Sequence, residues 1–168
     1  MSATYLAHLA RRFVTSLWPA PPPAADERWV ADLLAPGEAA LWGRMGGADR
    51  RHAVGVARRV QAALGDGATR PVLAAALLHD VGKTVSGFGP WRRSLATVLG
   101  AVAGRERVVA RGGRAGAYLD HDRLGAQLLA EAGADPLTVA WAAEHHLPED
   151  TWTVPAAVGR ALKDADDD

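Results

Sequence analysis

Five of the six histidines in this chain stand at position 52 or later, and aspartates share their neighbourhoods. In order they are His52, the doublet His79-Asp80, His121 and the pair His145-His146, followed by an acidic end at Asp166-Asp167-Asp168. Imidazole nitrogens and carboxylate oxygens drawn from separate segments are the donor set of a divalent metal such as Mn, Fe, Co or Zn. The sharpest piece is Ala74-Ala75-Ala76-Leu77-Leu78-His79-Asp80, an apolar run that ends in adjacent imidazole and carboxylate. Ionisable groups emerging from a buried helix are costly unless paired or ligated, so the doublet asks for a metal.

These residues must be positioned by helices. Pro19 to Pro23 carries four prolines in five residues and reads as a stiff connector after an N-terminal helix. Pro36 opens a helix through Leu41 and Trp42 that Gly46-Gly47 closes. Asp49 is the expected N-cap of a helix over residues 50–64, which Gly65-Asp66-Gly67 stops. The apolar run reads as a helix over 71–80, and residues 90–103 form another. Glycines and arginines through 105–117 read as a loop. His121 begins a helix that ends at Gly133. Asp135-Pro136 is an N-cap and first-turn pair for the next helix, which Pro148 ends beyond His145-His146. Thr153 and Pro155 start the last. No stretch alternates as a strand would, so the fold class is all-α.

Helical phase then separates inward from outward residues. His52 is in line with Val56 and Val60, His121 with Gly125 and Leu128, and His145 with Trp141 and Ala142. Asp166 continues the row of Val158 and Leu162, whereas Asp164 continues that of Ala157, Arg160 and Ala161. Asp166 is therefore the expected inward carboxylate and Asp164 the reserve. Asp167 and Asp168 read as solvated tail, and His8 as a core or surface residue. Four helices each bring a histidine to the inward face.

Composition narrows the classes of function. At 168 residues, 49% apolar and 23% charged, the chain has the make-up of a globular domain. Lys+Arg and Asp+Glu are equal at 19 each, which argues against general affinity for nucleic acid or membrane. The absence of cysteine excludes disulfides, thiolate metal sites and cysteine nucleophiles, and it fits a reducing cytoplasm. No apolar run approaches the ~18 residues of a membrane span. Residues 1–17 carry Arg11 and Arg12 mid-way and lack the compact apolar stretch of a secretory signal. They read as a helix packed on the domain.

His52, the segment Leu78-His79-Asp80-Val81-Gly82-Lys83 and the late Asp166 resemble the metal-dependent phosphohydrolase superfamily named for its His-Asp doublet, the HD domain. His121-Asp122-Arg123-Leu124-Gly125-Ala126 and Glu144-His145-His146 resemble the additional motifs of its binuclear, HDIG-like branch. The resemblance covers residues 50–168, with 1–49 as a helical extension and Pro-rich connector. It implies a helical bundle around a central metal site. One ion takes His52, His79, Asp80 and Asp166. Asp80 bridges to a second, held by His121 and His145, while His146 contacts substrate or supports a ligand. Such a pair lowers the pKa of water and clamps phosphoryl oxygens.

Lys83 has two readings: a point charge on a phosphate oxygen, or a lysine favoured by a helix C-terminus. The implied substrate is a small phosphate ester or nucleotide. Leu147-Pro148-Glu149-Asp150 lacks the Gly-Tyr-Pro pattern of cyclic-di-GMP phosphodiesterases. Arg92, Arg93, Arg105, Arg107, Arg111 and Arg114 form either a lid and anion-binding rim or a solvated cluster. Trp91 reads as core packing. Two alternatives from the same superfamily stay open: a mixed-valent di-iron oxygenase and a non-enzymatic signalling domain.

Overall fold

The computed structural model describes residues 20–167; the expected N-terminal helix, His8 and Asp168 lie outside them. The described residues contain helices and turns with no strand. The α-helices are α1 (Ala24–Leu33), α2 (Pro36–Trp42), α3 (Gly47–Leu64), α4 (Arg70–Leu78), α5 (Lys83–Ser86), α6 (Pro90–Ala103), α7 (Arg105–Arg111), α8 (Gly113–Leu119), α9 (His121–Glu131), α10 (Pro136–Glu144) and α11 (Ala156–Asp167). None is long and apolar enough to cross a membrane.

The core is built around α4. Every residue from Val72 to Leu78 is buried, as expected of a helix that is apolar all round. Helix α4 packs against α1, α2, α3 and α10. Helices α9 and α11 complete the bundle through contacts with α10 and α3. Val30, Leu41 and Trp42 lie in one hydrophobic cluster with Val56, Val60, Leu77, Leu129, Trp141 and Leu162. Glu38 is fully buried and fastens α2 by accepting from the Ala35 N–H at 2.8 Å and from Arg70 at 2.6 Å.

Four local expectations change. Gly46, not Asp49, occupies the cap position of α3, and Asp49 sits in its first turn, where it holds both terminal nitrogens of Arg93 at 2.6 and 2.8 Å. A charged fork across helices outweighs a local cap here. Residues 105–117 are helical. Gly104, Gly112 and Gly113 take positive φ at the junctions, so these glycines punctuate helices rather than dissolve them. Trp91 is 69% exposed rather than packed in the core. Helices α1 and α5 were not anticipated, because each carries too short or too polar a pattern for its period to stand out.

Candidate metal centre

The site forms around Asp80, where α4 and α10 end and α9 begins, with His52 supplied from within α3 and Asp166 from within α11. Helix α4 stops at Leu78, and residues 79–82 turn tightly, with Val81 N–H bonded to Leu78 C=O and Lys83 N–H to Asp80 C=O. The turn can lie flat against α9 because Gly82 has no side chain. A Cβ there would stand 1.9 Å from the His121 carbonyl oxygen and 2.7 Å from the Gly125 nitrogen. Gly125, four residues past His121, leaves room from the opposite side. Backbone thus meets backbone, and Asp80 is brought against His121.

One device orients three of the histidines. Each stands one or two residues beyond the end of the preceding helix, and its Nδ1 donates to the carbonyl three residues back. The pairs are His79 to Ala76 at 3.0 Å, His121 to Tyr118 at 2.8 Å and His145 to Ala142 at 3.0 Å. Carbonyls in the last turn of a helix lack helical partners, so each bond satisfies the helix end and fixes a ring. A carbonyl can only accept, so Nδ1 carries the proton and Nε2 is left with a bare lone pair.

Those three Nε2 atoms are buried and have no hydrogen-bond partner. They converge on one carboxylate. His79 Nε2 lies 3.5 Å from Asp80 Oδ2, while His121 and His145 Nε2 lie 3.6 and 3.9 Å from Asp80 Oδ1. Separations of 3.5–3.9 Å are too long for hydrogen bonds and lie close to the ~3.0–3.4 Å edges of a shell with metal–ligand bonds of ~2.1 Å. Orphaned buried acceptors facing a carboxylate are costly without a cation between them. The donor set therefore fits a divalent metal.

Two groupings of ligand atoms, each within 4.8 Å, flank Asp80: His52, His79 and Asp166 on one side, and His121, His145 and His146 on the other. His52 Nε2 and Asp166 Oδ1 are 2.8 Å apart, and Asp166 Oδ1 is 3.7 Å from His79 Nε2. Arg59 holds Asp166 in place by donating from Nε and Nη2 to the Ala165 carbonyl at 2.9 and 2.7 Å. Asp164 is exposed, away from the cluster. The imidazole rings form a nearly continuous wall, from His145 against His146 at 3.9 Å between centroids to His79 against His145 at 5.3 Å. His146 is the exposed member.

The electrostatics suit ligation. Burial would raise the Asp80 carboxyl, but Lys83 foremost, with His79, His121 and His145, holds it well below the usual range. Burial likewise opposes the ionised Asp166, yet its bond from His52 and the nearby His79 keep it low. Burial pushes His121 and His145 down to about 4, and partial desolvation of the ring against His145 does the same to His146, so all three are neutral near pH 7. Lys83 opens α5 and forms an ion pair with Asp80. Burial would lower its ammonium, but Asp80 raises it.

All eight residues singled out from the sequence come together here: His52, His79, Asp80, Lys83, His121, His145, His146 and Asp166. Sequence reasoning missed Tyr118, whose carbonyl orients His121 and whose ring stacks on it at 5.8 Å. The signal was available, since Tyr118, Ala76 and Ala142 all stand three residues before a site histidine.

The HD-domain family model matches residues 50–167. This chain belongs to the HD-domain family. The match spans α3 to α11 and so takes in every residue of the cluster around Asp80. The HD-domain superfamily consists mostly of metal-dependent phosphohydrolases, and its members bind divalent metals, which agrees with the donor chemistry above. Comparisons with curated proteins and with solved structures give no match for this HD domain.

Proposed function

We propose that this chain is a metal-dependent phosphohydrolase of the cytoplasm, acting on a small phosphate ester or nucleotide through a binuclear site. The observation that carries the reading is the convergence of three buried, unpartnered Nε2 lone pairs on Asp80. His52, His79, Asp80 and Asp166 would hold one divalent ion, and Asp80, His121 and His145 the other, with Asp80 as the bridge. When bound, two such ions supply Lewis acidity, which activates water and neutralises phosphoryl charge.

The remaining groups act on the substrate. Lys83, a fifth exposed, is the chain's own cation beside Asp80 and suits a phosphate oxygen. His146 faces outward beside His121 and His145, and being neutral it offers the substrate a hydrogen bond rather than a charge. The buried Trp141 and the α4 core behind His79 and His145 keep water from the inner side of the ring wall.

Metal analysis of anaerobically purified protein, followed by a phosphate-ester screen with Mn²⁺, tests this reading. About two metals per chain and anaerobic release of phosphate or nucleotide are expected. His121→Ala should reduce the stoichiometry to about one, because the ligands assigned to the first ion come from other helices. Activity that requires iron and O₂ and releases no phosphate would install the oxygenase reading instead. A parent protein that binds no metal would leave a signalling domain.

A further inference from the structure

Helix α6 turns a second apolar face outward. Leu95, Val98, Leu99 and Val102 fall with Trp91 on one arc of about 100° at helical spacing. They are 69%, 58%, 44% and 83% exposed. The opposite face is the one that packs: Ala96 and Gly100 are buried, and a Cβ on Gly100 would stand 2.9 Å from Leu119. Single exposed hydrophobics are ordinary, but a contiguous stripe marks an interaction surface.

Charge selects the occupant. Residues 90–114 carry six arginines against one glutamate, Glu106, in a chain whose net charge is zero. Arg93, Arg105 and Arg114 are spent internally on Asp49, Asp122 and the carbonyls of Ser86 and Gly87. Arg92, Arg107 and Arg111 are exposed. A second copy docked face to face would set like charge against like. Residues 1–19 bring Arg11, Arg12 and no acidic residue, and so complement the patch no better. A surface that is anionic outside and apolar beneath complements both the arginines and the stripe.

We propose that α6 docks this protein on an anionic lipid bilayer. The helix lies in the interface with Leu95, Val98, Leu99 and Val102 at headgroup depth, and the exposed arginines of its lobe meet lipid phosphates. The expectation of no membrane partner rested on the lack of a spanning run and on overall charge balance. Neither bears on the local asymmetry of residues 90–114. The proposal is independent of the metal chemistry.

Because the chain has no cysteine, Val102→Cys gives the full-length protein a single thiol for an environment-sensitive fluorophore. Vesicles of phosphatidylcholine with about 30 mol % phosphatidylglycerol should shift its emission to the blue, and pure phosphatidylcholine should not. Raising NaCl from about 0.1 to 0.5 M should reverse the shift. Unlabelled parent protein should co-sediment with the anionic vesicles, and L95E/V98E should bind at least about tenfold more weakly while keeping its helical circular dichroism. Any of four results overturns the proposal. The parent fails to co-sediment. L95E/V98E co-sediments as well as the parent, which assigns binding elsewhere. The dilute labelled protein is already blue-shifted without lipid, which assigns the face to another segment of the chain. The label becomes buried only as light scattering reports a dimer, which assigns it to a second copy.

Discussion

The centre around Asp80 and the lobe formed by α6 to α8 use helix ends in opposite ways. Around Asp80, α4 and α10, and α8 where the lobe meets the centre, each place a last-turn carbonyl against a histidine, and the buried imidazoles point inward to Asp80 with His146 left at the exposed edge. In the lobe, helix ends are made by glycines with positive φ, and large apolar side chains point outward. The polar groups of the first region suit a small charged guest. The second has a packed inner face and an outer face suited to a large apolar one. What separates them is the side on which unsatisfied chemistry is left.

The largest expected effect comes from Asp80→Asn, which keeps the shape and removes the charge. It leaves the half-buried Lys83 without its counter-ion and takes away the carboxylate on which three imidazoles converge. Elemental analysis should find essentially no metal, and stability should fall by about 3–5 kcal/mol. Retention of full metal content would erase the distinction between the two regions.

Next comes Gly82→Ala. The new Cβ would meet backbone, which cannot swing aside as a flexible side chain can. We expect a loss of about 1–3 kcal/mol in denaturant unfolding, with metal lost from the His121 side before the His52 side. An unchanged midpoint would show that α5 and α9 can separate freely.

The two predictions rest on features that were unequally legible beforehand. The doublet could be read because the buried α4 leaves no doubt about where its apolar run ends. Asp166 was separable from Asp164 because α11 is amphipathic enough for its phase to be read. The lobe was misread because glycine is ambiguous: Gly112 and Gly113 mark helix boundaries, while Gly116 lies inside α8, where a Cβ would approach the Val108 carbonyl at 2.9 Å. Asp49 was misassigned because its partner, Arg93, is 44 residues away. Local signals carry local structure, and long-range pairs are invisible to them.

The pH dependence of the metal-free protein sharpens the comparison further. Burial holds His121 and His145 at about 4, against about 6.5 in an unfolded chain. Between these values the unfolded state binds more protons, so stability is complete above pH 6.5 and declines as pH falls towards 4. For His145 the loss reaches about 3 kcal/mol, and melting of chelator-treated protein across this window checks it. A flat profile would mean that the imidazoles charge as readily inside the fold as outside.

Smallest is Val102→Ser on the outer stripe. The side chain is 83% exposed, so stability should move by no more than about 0.5 kcal/mol and metal content not at all. A larger loss in thermal unfolding would reveal that the stripe already serves as core.

The contact of Gly82 with the backbone of His121 and Gly125 has a consequence for tuning. Most distances in a protein can be adjusted by a methyl group at a time, through exchanges such as valine for isoleucine. Here the spacer has zero thickness. The gap between the His79-Asp80 turn and His121 is set by peptide groups in contact, so it cannot be narrowed by trimming a side chain or widened by a small insertion of bulk. Any graded change in that gap has to be made by displacing α9 as a whole.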